Sequence, residues 1–222
     1  MKLSKETLNV LKNYSTISPN ILLTPGNVLK TRTTANTMLS VATVQDTFEQ
    51  EFGIYDLPEF LSVLSLFQNP ELEFHEKFVK IFENKNSIKY YAADASVLEV
   101  PKKDIIFPDA EISILLTAEN LAQISKTASV LRSNDVSFVG SNGELKLIVS
   151  DKKNDTANSF EVKIGDTDLE FQVNFLVDIL KFIPGEYQID ISTKRISRFK
   201  STTSDLVYYV GIEQDSVFNN IA

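Results

Sequence analysis

The residues of this chain with the potential for chemistry are one histidine, scattered carboxylates and a set of lysines. His75 is the only histidine and cysteine is absent, which excludes a histidine-paired nucleophile, a multi-histidine or thiolate metal site and a disulfide. Asp166 and Asp168 have the spacing of metal ligands, but Gly165-Asp166 is typical of a hairpin turn, which is the favoured interpretation. Asp151 to Asp155 is interpreted as a polar loop, and the seven glycines form no phosphate-binding cluster. The sequence predicts no enzyme, cofactor or metal site.

Four short helices are predicted from apolar residues that recur at spacings of three and four. The first spans Ser4 to Tyr14, and the second follows Asp56, a residue type that caps helix N-termini. The third runs from Thr117 to Arg132, and the fourth contains Leu176 to Ile183. Strands lie between the helices, so the fold class is α+β.

One apolar pattern occurs twice, 119 residues apart. Its first copy is Leu57, Phe60, Leu61 and Leu64, and its second copy is Leu176, Ile179, Leu180 and Ile183. The flanks agree as well, since LSKETLNVL at Leu3 resembles LTAENLAQI at Leu116 and FENKNSIKYY at 82–91 resembles FKSTTSDLVYY at 199–209. The chain is therefore interpreted as two copies of one domain, each with the order helix, strands, helix, strands.

The predicted boundaries are a first domain at 1–92, a connector at 93–112 and a second domain at 113–222. The connector contains Pro101 and Pro108 and has no clean period, which favours an extended segment. It is also rich in large apolar side chains, so it is expected to pack on a folded surface.

Several segments resemble the sliding clamps, the DNA polymerase processivity factors of T-even-type bacteriophages. They are MKLSKETLNVLKNYSTI at the N-terminus, IYDLPEFLSVLSLF at 54–67, YYAADASV at 90–97 and IIFPDA at 105–110. The resemblance implies two duplicated clamp domains related in fold to proliferating cell nuclear antigen. Antiparallel sheets would lie outside and two short helices per domain would line a homotrimeric ring. The ending VGIEQDSVFNNIA departs from the ending expected for that family.

The resemblance also implies a function and a set of partners. A clamp of this kind encircles double-stranded DNA without sequence specificity and is loaded by an ATP-driven clamp loader that this chain does not encode. It tethers the replicative DNA polymerase through that enzyme's C-terminal peptide. A net charge of −8 is compatible with this function, because a ring is held by topology and needs only a locally positive bore.

Two groups of site residues follow from this interpretation. Cations expected on helical faces opposite the apolar stripes are predicted to face DNA, together with one arginine near a helix end: Lys2, Lys5, Lys12, Lys126, Arg132 and Lys181. Apolar connector residues are predicted to form the pocket for the partner peptide: Val97, Leu98, Ile106, Phe107 and Pro108. The alternatives are that the cations form an ordinary solvated helix face and that the connector only joins two domains.

Composition places the chain among ordinary globular proteins, with 222 residues, 43% hydrophobic and 23% charged. The N-terminus lacks the apolar core of a signal peptide and no run is long enough to span a membrane, so the expected location is the host cytoplasm. Two rival functions stay open. One is a β-rich virion or interaction protein that does not encircle DNA, and the other is a hydrolase with two converging acids; the native mass separates the clamp from both.

Overall fold

The computed structural model describes residues 1–154 and 156–219 of the chain. The chain folds into two units, Met1–Asp104 and Ile105–Ala222, here called unit 1 and unit 2. The division falls inside the predicted connector at 93–112. Asp155 of the predicted polar loop and the last three residues of the divergent C-terminal sequence lie outside the described residues. None of the described helices is long and apolar enough to cross a membrane.

Unit 1 consists of two α-helices and three groups of antiparallel strands. Strand β1 pairs with β4, β2 pairs with β3, and β5, β6 and β7 form a three-stranded sheet with β6 in the middle. A 3₁₀ turn at Ala95–Val97 follows the last strand. The elements are α1 (Lys5–Tyr14), β1 (Ile21–Leu23), β2 (Gly26–Arg32), β3 (Met38–Phe48), β4 (Phe52–Ile54), α2 (Leu57–Leu64), β5 (Glu71–Phe74), β6 (Phe78–Glu83) and β7 (Asn86–Tyr91).

Unit 2 consists of one α-helix and two antiparallel sheets in its described residues. One sheet has the order β11-β10-β9-β12-β16, and in the other β8, β13, β14 and β15 are neighbours in that order. A 3₁₀ turn at Val177–Ile179 follows β12. The elements are β8 (Ile112–Leu116), α3 (Ala118–Leu131), β9 (Asp135–Ser141), β10 (Glu144–Ser150), β11 (Phe160–Asp166), β12 (Glu170–Leu176), β13 (Tyr187–Ser192), β14 (Ile196–Ser201), β15 (Leu206–Gly211) and β16 (Val217–Asn219).

The pairing of these strands confirms the predicted duplication. The pairs β1–β4, β2–β3 and β5–β6–β7 of unit 1 correspond to β9–β12, β10–β11 and β13–β14–β15 of unit 2. The N-terminus corresponds to β8. Met1 and Leu72 of β5 exchange two backbone hydrogen bonds, of 2.6 and 2.7 Å. The equivalent positions in unit 2 are Ile114 of β8 and Ile189 of β13, which also lie opposite each other. Each unit thus places one helix and one helix-or-turn segment in the same order between equivalent strands.

Capping side chains fix where the three α-helices begin. Ser4, Asp56 and Thr117 each accept a hydrogen bond from the backbone N–H three residues further on, at 3.1, 2.8 and 3.2 Å. Each helix buries an apolar stripe at helical spacing, as predicted. The buried apolar residues are Val10, Leu11 and Tyr14 in α1, Leu57, Phe60 and Leu64 in α2, and Leu121, Ile124 and Ala128 in α3.

The prediction of a fourth α-helix through Leu176 and Ile183 is wrong. Strand β12 continues to Leu176, and only the single 3₁₀ turn follows it. The position equivalent to the capping residue Asp56 is occupied by Phe175, which is fully buried in strand β12. No side chain caps the turn, and Pro184 prevents a helix from extending further. Unit 2 therefore has a 3₁₀ turn where the sequence predicts a second helix.

The predicted hairpin turn at Gly165-Asp166 is also wrong. Both residues belong to strand β11, opposite Leu145 and Glu144 of β10. The next strand, β12, pairs with β9 instead. A Gly-Asp pair between two predicted strands is typical of a hairpin turn. The chain instead crosses from β11, at one side of β10, to β12 at the far side of β9.

Candidate functional site

A groove of 520 Å³ in unit 1 brings together three of the cations predicted to face DNA. Lys5 and Lys12 are seven residues apart on α1, which places them on the same exposed face of the helix. Lys2 joins them just before the helix begins and lies 3.5 Å from Glu71. The apolar part of the lining is Leu3, Leu8, Leu61, Leu64, Phe67, Pro70 and Leu72.

The charge around this groove is one-sided. All the residues that line it are described, and none of them is acidic. Glu71 offsets Lys2 from outside the lining, and this exposed pair contributes little because water screens it. Lys5 and Lys12 thus give unit 1 a local positive field in a chain whose net charge is −8.

A second groove, in unit 2, lies beside the C-terminal half of α3 and has a volume of 910 Å³. Arg132 and Lys181 line it, whereas Lys126 is exposed on α3 outside the lining. Arg132 ends α3 in the left-handed region at φ 55°. Lys181 follows the 3₁₀ turn, so it does not lie on the helical face predicted for it. The lining also contains two cations not selected from the sequence and four acids: Lys152, Lys153, Asp135, Asp151, Asp178 and Glu213.

Lys152 is the centre of a polar network that holds this groove together. Its Nζ lies 2.9 Å from Asp215 and 3.5 Å from the buried Asp135. Asn174, also buried, donates to Asp215 at 3.0 Å and accepts from Ser137 at 2.7 Å. Burial opposes the charge of Lys152, but the hydrogen bond to Asp215 and the neighbouring carboxylates raise its pKa overall. The hydrogen bond from Lys152 lowers the pKa of Asp215. Lys152 is therefore a structural cation.

The first part of the predicted connector belongs to unit 1. Leu98 is 7% exposed and packs against Gly53, where a Cβ atom would lie 3.0 Å from the leucine Cδ1 and only 2.4 Å from the carbonyl oxygen of Ala93. Only glycine fits at this close approach. The backbone is held as well, because Glu99 N–H donates to Asn20 at 3.0 Å. Val97 is exposed.

The last part of the connector belongs to unit 2, where Phe107 lies on the outer face of the β13–β14–β15 sheet. Its ring centroid is 4.7 Å from the guanidinium carbon of Arg198 and 6.2 Å from the ring of Tyr209. Arg198 is oriented by Asp190, whose Oδ2 accepts from Nη2 at 2.6 Å. Ile106 is 95% exposed, and Pro108 is half-buried. The predicted peptide-pocket residues thus divide into two groups. Val97 and the buried Leu98 belong to unit 1, and Ile106, Phe107 and Pro108 belong to unit 2.

The side chains considered for chemistry have other roles here. His75 lies 3.3 Å from Glu73 and stacks on Phe78 at a centroid distance of 4.5 Å. Asp166 pairs with Lys163 at 2.8 Å. Across residues 1–154 and 156–219 no group of three or more His, Asp or Glu side chains could hold a metal ion.

Comparison with solved structures defines the class of fold. The chain resembles A. fulgidus PCNA, solved with the C-terminal region of FEN-1 bound, with a TM-score of 0.68 over 95% of this chain and 96% of that one. Their sequences are 15% identical, so the likeness shows the fold alone. The duplicated architecture is that of a DNA clamp.

Sequence relatives identify the family within that class. Residues 4–98 match the DNA polymerase processivity factor family. The chain is 32% identical to the sliding clamp of Vibrio phage KVP40, over 96% of this chain and 99% of that protein. It is 30% identical to the sliding clamp of Enterobacteria phage T4, over 97% of this chain and 98% of that protein. The chain belongs to the phage sliding clamps, the DNA polymerase processivity factors, which confirms the resemblance found in the sequence.

Proposed function

We propose that this chain forms a homotrimeric ring that encircles duplex DNA and tethers the replicative polymerase, without an enzymatic activity of its own. An ATP-driven clamp loader, encoded elsewhere, opens and closes the ring. The observation that supports this function is the lysine-rimmed groove of unit 1. It concentrates Lys2, Lys5 and Lys12 on one helix-bearing surface of an acidic protein. A ring needs positive charge only where DNA passes.

Edge strands provide the means of assembly. Strand β7 is at one edge of its sheet in unit 1, and β11 is at one edge of its sheet in unit 2. An open edge presents unpaired N–H and C=O groups, and a head-to-tail contact between β7 of one subunit and β11 of the next satisfies them. Three such contacts between identical chains close a ring of six domains.

The DNA contacts are assigned to the cations of both units. In unit 1 they are Lys5 and Lys12 on α1, with Lys2 beside them. In unit 2 they are Lys126 on α3, with Arg132 and Lys181 in the groove. These contacts are electrostatic and independent of base sequence. They therefore position the duplex without binding it at one site.

The client site is assigned to the surface around Phe107. An aromatic or aliphatic side chain of the polymerase C-terminal peptide inserts beside Phe107 and Pro108, against the exposed Ile106. Val97 and Leu98, the other two predicted pocket residues, lie in unit 1, where the buried Leu98 is assigned to the packing of that unit. Large apolar anchors in such sites provide most of the binding free energy.

Topology gives the sharpest test of the ring. The protein is first examined by sedimentation equilibrium at tens of micromolar, where a trimer is expected. It is then loaded on nicked circular DNA with a phage clamp loader and ATP and passed over a gel-filtration column. A ring stays with the circle in high salt and is lost when a restriction enzyme linearises it. A monomer, or release from circular and linear DNA at the same rate, would instead favour a β-rich interaction protein.

A further inference from the structure

The connector segment 105–110 is held on unit 2 by side chains. All six of its residues are described, and none of their backbone groups forms a hydrogen bond with another described residue. Backbone contacts resume at Glu111, whose N–H donates to the carbonyl of Ile191 at 3.1 Å and whose carboxylate accepts from the N–H of Thr193 at 2.9 Å. A segment without backbone hydrogen bonds opens easily. Its position therefore depends on contacts such as that of the Phe107 ring with the sheet.

The cation that contacts this ring has a fixed orientation. Arg198 donates from Nε and Nη2 to the same carboxylate oxygen of Asp190, at 3.1 and 2.6 Å. Ser113 donates to the other oxygen of Asp190 at 3.1 Å, and the Asp190 side chain is only 15% exposed. These bonds fix the planar guanidinium group, whose carbon lies 4.7 Å from the centroid of the Phe107 ring.

Unit 1 has a lysine where unit 2 has this arginine. Arg198 lies opposite Asp190 in its sheet, and Lys80 lies opposite Glu73 in the equivalent sheet. Both pairs combine a cation with an acid, so the sheet itself accepts either basic residue. Only an arginine offers a planar cation that stacks on a ring while it donates two hydrogen bonds to one carboxylate. The arginine occurs in the copy whose sheet contacts Phe107, which indicates a role towards that ring.

We infer that Arg198, oriented by Asp190, is a positioning residue of the client site, which holds Phe107 on the sheet in the conformation that receives the polymerase C-terminal peptide. The inference rests on the proposed assignment of the client site to the surface around Phe107. Arg198 acts through the ring and needs no contact with the peptide. When the stack is weakened, a smaller fraction of molecules keeps Phe107 in place, and the apparent affinity for the peptide falls in proportion to that fraction.

The first measurement is calorimetric titration of the synthetic C-terminal peptide of the phage polymerase into full-length variants. Arg198→Gln retains a donor for Asp190 but removes the planar cation, and it is expected to weaken binding by about fivefold. Arg198→Lys restores the charge and should lose only about twofold. Lys194→Ala removes a positive charge from the exposed turn of the same β13–β14 hairpin and should leave the affinity unchanged. Unchanged or tighter binding by Arg198→Gln would overturn the inference.

A double-variant cycle shows whether Arg198 acts through the ring. Phe107→Ala combined with Arg198→Gln is expected to bind the peptide no more weakly than Phe107→Ala alone, because an effect transmitted by the ring disappears with it. Losses that multiply would show that Arg198 acts on the peptide independently, and would overturn the inference. If Phe107→Ala alone retains full affinity, the assignment of the client site fails, and the inference fails with it.

The ring itself is monitored without any peptide. With 4-fluorophenylalanine incorporated at position 107, the ¹⁹F resonance is expected to move towards that of the unfolded protein in Arg198→Gln and to stay in place in Lys194→Ala. An unchanged resonance in Arg198→Gln would contradict the positioning role even if the peptide affinity fell. The sedimentation and circular-DNA measurements use neither the peptide nor these variants, so a failure here leaves the ring function unaffected.

Discussion

The grooves of units 1 and 2 each lie beside the first helix of their unit, and their linings are built in opposite ways. The unit 1 groove has an apolar floor between two α-helices and a rim of lysines, with no acid in its lining. The unit 2 groove lies between one α-helix and a 3₁₀ turn, and its four cations face four acids. One duplicated architecture therefore concentrates positive charge in the first copy and neutralises it in the second.

The difference begins at one pair of equivalent positions. Asp56 follows the short strand β4 and caps α2, whereas its counterpart Phe175 lies within β12 and is buried in the core. In the second copy, Lys152 and Asp135 line the groove beside α3, and Asn174 supports them by donating to Asp215, the other partner of Lys152. Lys152 pairs with Asp135 of the lining. Asp151, Asp178 and Glu213 bring the acids of the lining to four, which equals the number of its cations. The second copy thus lacks both the second helix and the excess of cations that the first copy has at its groove.

The largest effect that tests this comparison is on stability. Leu57, the first residue of α2, is fully buried. Its repeat counterpart Leu176, the last residue of β12, is half-buried. Leu57→Ala should lower the free energy of unfolding by about 2–5 kcal/mol, and Leu176→Ala by clearly less, because the cost follows the buried volume removed. Urea unfolding of both variants measures this, and equal losses would contradict the view that only the first stripe is a helix core.

The repeat and three of the four helices could be predicted from the sequence, because apolar spacing and capping residues are local signals. The fourth helix could not, since the same spacing at Leu176 and Ile183 also fits a strand end followed by a turn. The deciding residue is Phe175, whose burial depends on β9. Strand β3, eleven residues long, is not predicted from the sequence at all. Its threonine, serine and alanine residues give no clear strand pattern in the sequence, and the strand is defined by its pairing with β2.

The two parts of the connector give the next contrast. Leu98→Ala removes a buried contact with Gly53 in unit 1, so it should reduce thermal stability with little change in peptide affinity per folded molecule. Phe107→Ala removes a surface ring in unit 2 and should weaken binding of the polymerase C-terminal peptide by about tenfold or more, while the trimer persists. Calorimetric titration of that peptide into each variant separates the two. Undiminished affinity in Phe107→Ala would remove this residue from the client site.

The lysines provide a smaller electrostatic contrast. Lys5→Glu with Lys12→Glu reverses two positive charges of the unit 1 groove, and we expect DNA loading and polymerase stimulation to fall by about tenfold at low salt. Lys126→Glu with Lys181→Glu should cost about threefold, because Lys181 lines a groove that already contains four acids and Lys126 lies outside either groove. Both effects should shrink in high salt, as screening predicts. Equal losses in the two double variants would show that the charge difference between the grooves has no functional consequence.

The site could be predicted only in part, for a related physical reason. Helical spacing places Lys5 and Lys12 on one face without any knowledge of the tertiary fold. The role of Lys152 could not be predicted, because its partner Asp215 is 63 residues away in the chain and no local pattern indicates such a pair. The stacking of Phe107 on Arg198 is equally non-local. The sequence shows only that Phe107 belongs to an apolar connector that has to pack on a folded surface, and it does not indicate that Arg198 is the contact.

The smallest expected effect concerns tyrosines at high pH. Burial, with the charges of Glu59 and Asp56, raises the pKa of Tyr90 in unit 1 to about 12, and burial raises the pKa of Tyr208 in unit 2 to about 12. A folded state that holds a proton more tightly than the unfolded chain contributes stability that is complete below about pH 10 and is lost as the pH rises towards 12.

Tyr90→Phe should therefore make the decline in stability between pH 10 and 12 shallower without abolishing it, because Tyr208 still titrates in unit 2. At neutral pH the same variant should lose about 1 kcal/mol, since Tyr90 donates a hydrogen bond of 3.1 Å to the carbonyl of Asp56. Urea midpoints measured from pH 8 to 12 give both quantities, with Tyr55→Phe at an exposed tyrosine as the matched control. If the decline disappears entirely in Tyr90→Phe, unit 2 contributes nothing to it. Alkaline sensitivity would then belong to the first copy alone, and the two units would differ in their tyrosines as they do in their grooves.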